Sequence, residues 1–148
     1  MNKIALVTGG GSGIGLSAAK ALAATGFTVV ITGRNLHKLE QALAQFPAGQ
    51  AVARQLDVTN PQSVEALFTE IKTTFGRLDV LFNNAGTNVK EGPIEQLAVE
   101  DWLAVINTNL TGAFLCTRAA VGLMKKQNPM GGRIINNGAL LNKSNFCL

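Results

Sequence analysis

Tyrosine is absent from this 148-residue chain, so none of its side chains offers a phenol for proton transfer. Charge is scarce as well. Acidic and basic residues make up 15% against 47% hydrophobic, which excludes a solvated, disordered polypeptide and fits one globular domain with a real core. The net charge of +4 is scattered, with no cationic run beyond Lys125-Lys126. That pattern is a solvated surface, and no nucleic-acid partner is expected. No apolar stretch is long enough to span a bilayer, and Met1-Asn2-Lys3 leads straight into an apolar run that leaves no room for a signal peptide, so no membrane partner is expected. Cysteine is limited to Cys116, inside an expected helix, and Cys147. Reduced thiols and a cytoplasmic setting are the expectation. No metal site is expected.

Glycine, by contrast, is concentrated in one telling place. Thr8-Gly9-Gly10-Gly11-Ser12-Gly13-Ile14-Gly15 follows directly on the apolar run Ile4-Ala5-Leu6-Val7, which reads as a buried parallel strand. Residues 16–24, rich in alanine and leucine, read as the following helix. Strand, glycine turn and helix make an anion cradle: amides at the helix start point outward and the helix dipole favours negative charge, so a pyrophosphate fits. Gly9 is suited to backbone angles closed to other residues, Gly13 to a close approach of phosphate, and Gly15 to tight helix–strand packing. The plain alternative is an ordinary strand-to-helix turn, and the context beyond it decides.

That context is a βα alternation. Residues 27–32 read as a second strand and 36–46 as a helix broken at Pro47-Ala48-Gly49. A third strand covers 51–56. Asn60-Pro61 opens a helix that runs to Phe75 and ends at Gly76. Residues 78–82 give a fourth strand, 99–127 a long helix, and 133–137 a fifth strand. The fold class expected is α/β: a Rossmann-like, doubly wound parallel sheet with helices on both faces, truncated after the fifth strand. Residues 1–138 would form an incomplete nucleotide-binding domain and 139–148 a tail. The fifth strand and the apolar side of the long helix (Trp102, Ile106, Leu110, Phe114, Leu115) would then be left partly uncovered, although Trp102 and Phe114 read as core residues by type.

At the end of the second strand, a dinucleotide fold places the group that reads the ribose. An aspartate there accepts from a 2′-hydroxyl and repels a 2′-phosphate. This chain has Gly33-Arg34-Asn35, with no carboxylate and with a guanidinium suited to phosphate. NADP(H) is therefore expected over NAD(H), and S-adenosylmethionine, which would want an acid here, is disfavoured. A simple strand-end role is the alternative for Arg34.

Taken in order, Thr8 to Gly15, Asp57-Val58, Asn83-Asn84-Ala85-Gly86, Asn109-Leu110-Thr111-Gly112 and Gly132-Arg133-Ile134-Ile135-Asn136 resemble the short-chain dehydrogenase/reductase family from about Lys3 to Gly138. The resemblance implies hydride transfer between a nicotinamide cofactor and a small carbonyl or alcohol. It implies that Thr8, Gly9, Gly11, Ser12, Gly13, Ile14 and Gly15 hold the cofactor with Arg34. Asp57 would bond the adenine amino group, Val58 would pack on the ring, and Asn84, Ala85 and Gly86 would line the cofactor beside Asn83. Asn109 is the one catalytic position of the family with a counterpart here, where it would bend the helix and hold a water of the proton relay. A satisfied buried asparagine is its alternative reading.

The family's catalytic tyrosine and lysine have no counterpart in this chain, and its serine position falls on Ala139. The residues from Ala139 on resemble no part of the family, which reads as a frameshift or premature stop, with an intended short form as the alternative. The expected function is therefore an NADP(H)-dependent reductase or dehydrogenase present in an inactive, truncated form. The other reading is a non-catalytic NADP(H)-binding protein or the partner of a full-length relative. A homo-oligomer through the long helix 99–127 is the expected assembly, and substrate identity is not legible.

Overall fold

The computed structural model describes residues 2–90 and 92–138. Five parallel strands, β1 (Lys3–Thr8), β2 (Phe27–Gly33), β3 (Ala51–Gln55), β4 (Val80–Asn83) and β5 (Arg133–Asn136), form one sheet in the order β3-β2-β1-β4-β5. β1 pairs with β2 from Lys3–Phe27 to Thr8–Thr32 and with β4 from Ala5–Val80 to Val7–Phe82. The chain thus winds outward from β1 in one direction and then crosses to its other side. The C-terminal ends of β1 and β4 border the resulting crevice, the place where such sheets bind ligands. This is the Rossmann-like, doubly wound sheet that the alternation predicts.

Alternate residues of each strand feed opposite layers, as the two-residue period requires. Ile4, Leu6, Val30 and Leu81 face a layer built from α3 (Pro61–Phe75) and α5 (Ala113–Met124), through Val64, Leu67, Phe68, Ile71, Leu115, Cys116, Ala120 and Leu123. Ala5, Val7, Val29, Ile31, Val80 and Phe82 face α1 (Gly13–Ala24) and α2 (Leu36–Leu43), through Ala19, Ala23, Leu39 and Ala42. Burial both fixes the sheet and silences one thiol: desolvation pushes the Cys116 group up to about 12. Cys147 lies outside the described residues.

The punctuation of α3 follows the sequence closely. Asn60 Oδ1 accepts from the amides of Gln62 and Ser63, Pro61 opens the helix, and Gly76 closes it with φ of 73°. Elsewhere the boundaries move, once for a local reason and once for a tertiary one. α2 stops at Leu43 rather than 46, because the amides of Gln45 and Phe46 turn back to Ala42 and Leu43 in tighter three-residue steps. β4 begins at Val80, not at 78. The backbone of Leu78 is bound instead by the buried Gln127 side chain, whose Oε1 accepts its amide (2.8 Å) and whose Nε2 donates to its carbonyl (3.0 Å).

The long helix is not one α-helix. A single 3₁₀ turn (Ile94–Gln96) leads to α4 (Val99–Val105), then a π-helical stretch (Ile106–Gly112), then α5, which ends at Met124 short of the expected 127. Asn107, Thr108, Asn109, Thr111 and Gly112 are all weak α-helix formers, and the wider turn forms where they gather. The helical phase also corrects the placement of two aromatics. Trp102 is 52% and Phe114 57% exposed, so neither is a core residue, while Leu115, expected to be partly uncovered, is buried. The inward stripe of α5 runs through Leu115, Cys116, Ala120 and Leu123, and Phe114 lies off it, with the Arg118 guanidinium over its ring at 5.6 Å. Leu110 is exposed and Ile106 half-buried.

Candidate functional site

Thr8 ends β1 with its hydroxyl turned to the neighbouring strand. The hydroxyl accepts the amides of Asn84 and Ala85, both at 2.9 Å, and donates to the Phe82 carbonyl at 3.4 Å. Asn84 returns the contact, its Nδ2 donating to the carbonyls of Thr8 (3.1 Å) and Gly9 (3.2 Å). The glycine turn after β1 and the Asn83–Gly86 segment after β4 are thereby one hydrogen-bonded unit. A plain Asn-Gly turn would make none of these bonds.

The glycines in this unit serve packing as much as flexibility. Gly9 has φ of 64°, which favours glycine. A Cβ on Gly15 would stand 2.2 Å from the Gly9 carbonyl oxygen and 2.5 Å from Asn84 Nδ2, so α1 approaches the turn more closely than any side chain permits. Gly10, which sequence reasoning passed over, donates its amide to the Thr32 carbonyl and ties the turn to the end of β2. The Ser12 side chain makes no capping bond to α1. The first amides of α1 therefore remain free for an anion.

A cavity of about 290 Å³ opens beside this turn. Gly9, Ser12, Arg34, Asp57, Val58, Asn84, Ala85 and Gly86 line it, together with Thr32, Thr59 and Thr108. Eight of the expected site residues are thus brought together. Thr8 and Gly15 lie buried behind the wall, and Gly11 packs on Leu39. Gly13 and Ile14 sit exposed at the start of α1. Asn109 stands next to Gly86, where a Cβ would meet its Oδ1 at 3.4 Å.

Arg34 and Asp57 are the only ionisable side chains in the lining. The Arg34 carbonyl accepts from Gln55 Nε2 at 2.9 Å, which fixes its backbone while the guanidinium stays exposed. The Thr59 hydroxyl donates to Asp57 Oδ1 at 2.7 Å and its amide at 2.9 Å. These bonds, helped by the nearby Arg34 charge, hold the Asp57 carboxyl below its ordinary value against partial burial. Such a lining is polar, but with Asp57 held ionised it offers no group ready to exchange a proton at neutral pH.

Asn109 departs from the reading of a satisfied buried residue. It is exposed, and its carboxamide clasps Thr87, accepting the amide at 2.8 Å and donating to the carbonyl at 3.0 Å. The same π-helical stretch brings Gly112 against Val58, where a Cβ would lie 2.6 Å from Cγ2. Thr59, Thr87 and Thr108 were missed from the sequence. Only Thr59, two residues past Asp57 at a strand end, carries a local turn signal that could have found it. Among the described residues no group of three His, Cys, Asp or Glu could hold a metal, and no helix is long and apolar enough to cross a membrane.

The sheet order, the glycine turn at the β1–β4 crevice and the lining around it define a Rossmann-like α/β protein. The chain belongs to the short chain dehydrogenase family, whose profile matches residues 3–145. The match runs past Gly138 into the segment expected to be unlike the family. It is 44% identical over 137 residues to a 3-oxoacyl-[acyl-carrier-protein] reductase of Synechocystis sp., covering 90% of this chain and 54% of that protein. It is 40% identical over 146 residues to a 3beta-hydroxysteroid dehydrogenase of Mediterraneibacter gnavus, covering 97% and 52%. A metagenomic short-chain oxidoreductase solved in complex with NADP superimposes with a TM-score of 0.83 at 33% identity, covering 95% of this chain and 64% of that one. The chain spans about half the length of the curated relatives it matches.

Proposed function

We propose that these 148 residues are the NADP(H)-binding part of an oxidoreductase that transfers hydride between the nicotinamide and a carbonyl or alcohol in the cytoplasm. The observation that carries this reading is the cavity itself, in which a glycine turn, unspent helix amides and Arg34 converge with no carboxylate at the end of β2. The uncapped amides at the start of α1, beside the cavity that Gly9 and Ser12 line, fit a pyrophosphate. Thr8, Gly9, Gly11, Ser12, Gly13, Ile14 and Gly15 would form and shape that cradle. Arg34 would take the 2′-phosphate through its planar fork. Asp57, ionised, would accept from the adenine amino group, and Val58 would cover the ring. Asn84, Ala85 and Gly86 would line the nicotinamide half, with Asn109 holding the Thr87 segment at its edge.

When bound, the cofactor supplies the hydride and the electrophilic ring. The residues described here bind and orient it. The proton that carbonyl reduction consumes needs a separate donor. With no tyrosine in the chain and Asp57 held ionised, none of these residues supplies it. That observation favours the second reading as well: as it stands, the chain binds NADP(H) without turning it over.

Calorimetric titration with NADP⁺ and NAD⁺ tests the assignment. Tighter NADP⁺ binding is expected. Arg34→Ala should weaken NADP⁺ by about ten- to a hundredfold, the range for a charge-assisted contact, while leaving NAD⁺ within about twofold. Equal affinity of the unaltered chain for the two cofactors would remove Arg34 from the role. NADPH oxidation by the 148-residue chain across a carbonyl panel would contradict its inactivity.

A further inference from the structure

Asn137, just past β5, belongs to no site drawn so far. Its amide donates to the Asn83 carbonyl at 2.9 Å, which continues the β4–β5 pairing by one residue. Its side-chain Nδ2 donates to Asn84 Oδ1 at 2.9 Å. Asn84 Nδ2 in turn bonds the carbonyls of Thr8 and Gly9, and a Cβ would meet it at 3.1 Å on Gly9 and at 2.5 Å on Gly15. Both ends of one carboxamide are thus directed: oxygen toward Asn137, nitrogen toward the turn.

A carboxamide has two orientations of nearly equal shape and opposite polarity. With Asn84 turned over, its oxygen would face two carbonyl oxygens at little more than 3 Å, and the turn would be pushed off. Something must therefore select the orientation. Thr8 and Gly9 do so from one side by offering only acceptors. Asn137 does so from the other by offering a donor.

We infer that Asn137 is a positioning residue for the cofactor turn: it fixes the polarity of the Asn84 side chain, and through it the carbonyls of Thr8 and Gly9, without touching the ligand. The inference rests on the cofactor reading of that turn, but its first consequence, the state of Asn84, does not.

The distinguishing variant is Asn137→Asp, which keeps the shape and replaces the donor by an acceptor. A carboxylate at that place repels Asn84 Oδ1 and attracts Asn84 Nδ2, so it pulls the carboxamide toward the wrong orientation. Asn137→Ala only removes the partner, and water can satisfy Asn84 Oδ1 at this exposed position. A role confined to shape would give the reverse order, with alanine the more damaging. In the full 148-residue chain, NADP⁺ affinity should fall about tenfold in Asn137→Asp and within about twofold in Asn137→Ala, as expected for reversing one hydrogen bond.

Two-dimensional NMR of the side-chain amides supplies the readout that does not depend on ligand. The Asn84 NH₂ pair should shift and exchange faster with solvent in Asn137→Asp alone, and the amide of Gly10, which bonds the Thr32 carbonyl, should lose protection with it. Unchanged Asn84 resonances in Asn137→Asp, or equal losses in both variants, would overturn the inference. If the unaltered chain fails to bind NADP⁺, the cofactor reading falls, and the Asn84 resonances still decide this one.

Discussion

Gly15, at the start of α1, and Asp79, just before β4, resist change for different reasons. At Gly15 the obstruction to a side chain is backbone, the Gly9 carbonyl, so no rotamer change relieves it. Gly15→Ala should destabilise the chain by about 1–3 kcal/mol through overpacking and abolish NADP⁺ binding, measured by urea unfolding and calorimetry. Asp79 is a matter of charge. Its carboxylate receives a two-point contact from Arg77 at 2.9 and 2.6 Å and the Ile4 amide at 2.8 Å. Desolvation works against ionisation there, but these donors outweigh it and the group titrates below its ordinary value. A lowered folded value means stability that is present above the unfolded carboxylate pKa, about 3.9, and is lost as pH falls through the folded one. The urea midpoint should therefore drop as pH is taken from 5 toward 3. Asp79→Asn should remove that part of the slope and cost about 1–3 kcal/mol at neutral pH, because Arg77 is left largely buried with a weaker partner.

At the scale of elements, the π-helical stretch explains how one helix serves two distant parts of the cavity. It presents Gly112 to Val58 at the side assigned to adenine, Thr108 to the wall and Asn109 to Thr87 beside Gly86. Asn109→Ala should release Thr87, lowering the hydrogen-exchange protection of its amide, and cost about 0.5–1.5 kcal/mol. Gly112→Ala should act at the other end, displacing Val58 and weakening 2′,5′-ADP more than it weakens nicotinamide mononucleotide. A uniform loss for the two half-ligands would argue against that division of labour. Elements with local punctuation were legible from the sequence: Asn60, Pro61 and Gly76 bound α3, and the β-branched run of β2 needs no help from elsewhere. What escaped was decided at long range. Leu78 reads as strand until Gln127, far along the chain, takes its backbone, and nothing near Thr87 announces that Asn109 will reach it. The site divides in the same way. Arg34 can be found by counting from the glycine turn and Asp57 from the family resemblance, whereas the bonds that hold Asn84 in one orientation come from the ends of β1 and β5.

For the whole molecule, the two layers are unequally closed. The α1–α2 layer and the α3 side of the other cover their strands. Along α4 and the π-helical stretch, however, Val99, Trp102, Leu103 and Leu110 are exposed, and Phe114 continues the series into α5. On β5, Ile134 packs against the α3–α5 layer, whereas Ile135 points to the opposite face and is 48% exposed. Among the described residues β5 pairs only with β4, so its other edge is open among them. Apolar surface of this extent next to an open strand edge favours association. The chain should therefore self-associate through the α4–α5 surface, with a sedimentation coefficient that rises with concentration. Phe114→Glu is the informative variant. The carboxylate lands four residues before Arg118, a favourable helical pair, so the helix is not weakened while the strip loses its large aromatic at the α5 end. It should return the chain toward a monomer without changing NADP⁺ affinity, since Phe114 is not part of the cavity lining. If Phe114→Glu associates as the unaltered chain does, the strand edge and not the helix surface drives assembly. A charged residue at Ile135 should then be the substitution that disperses it.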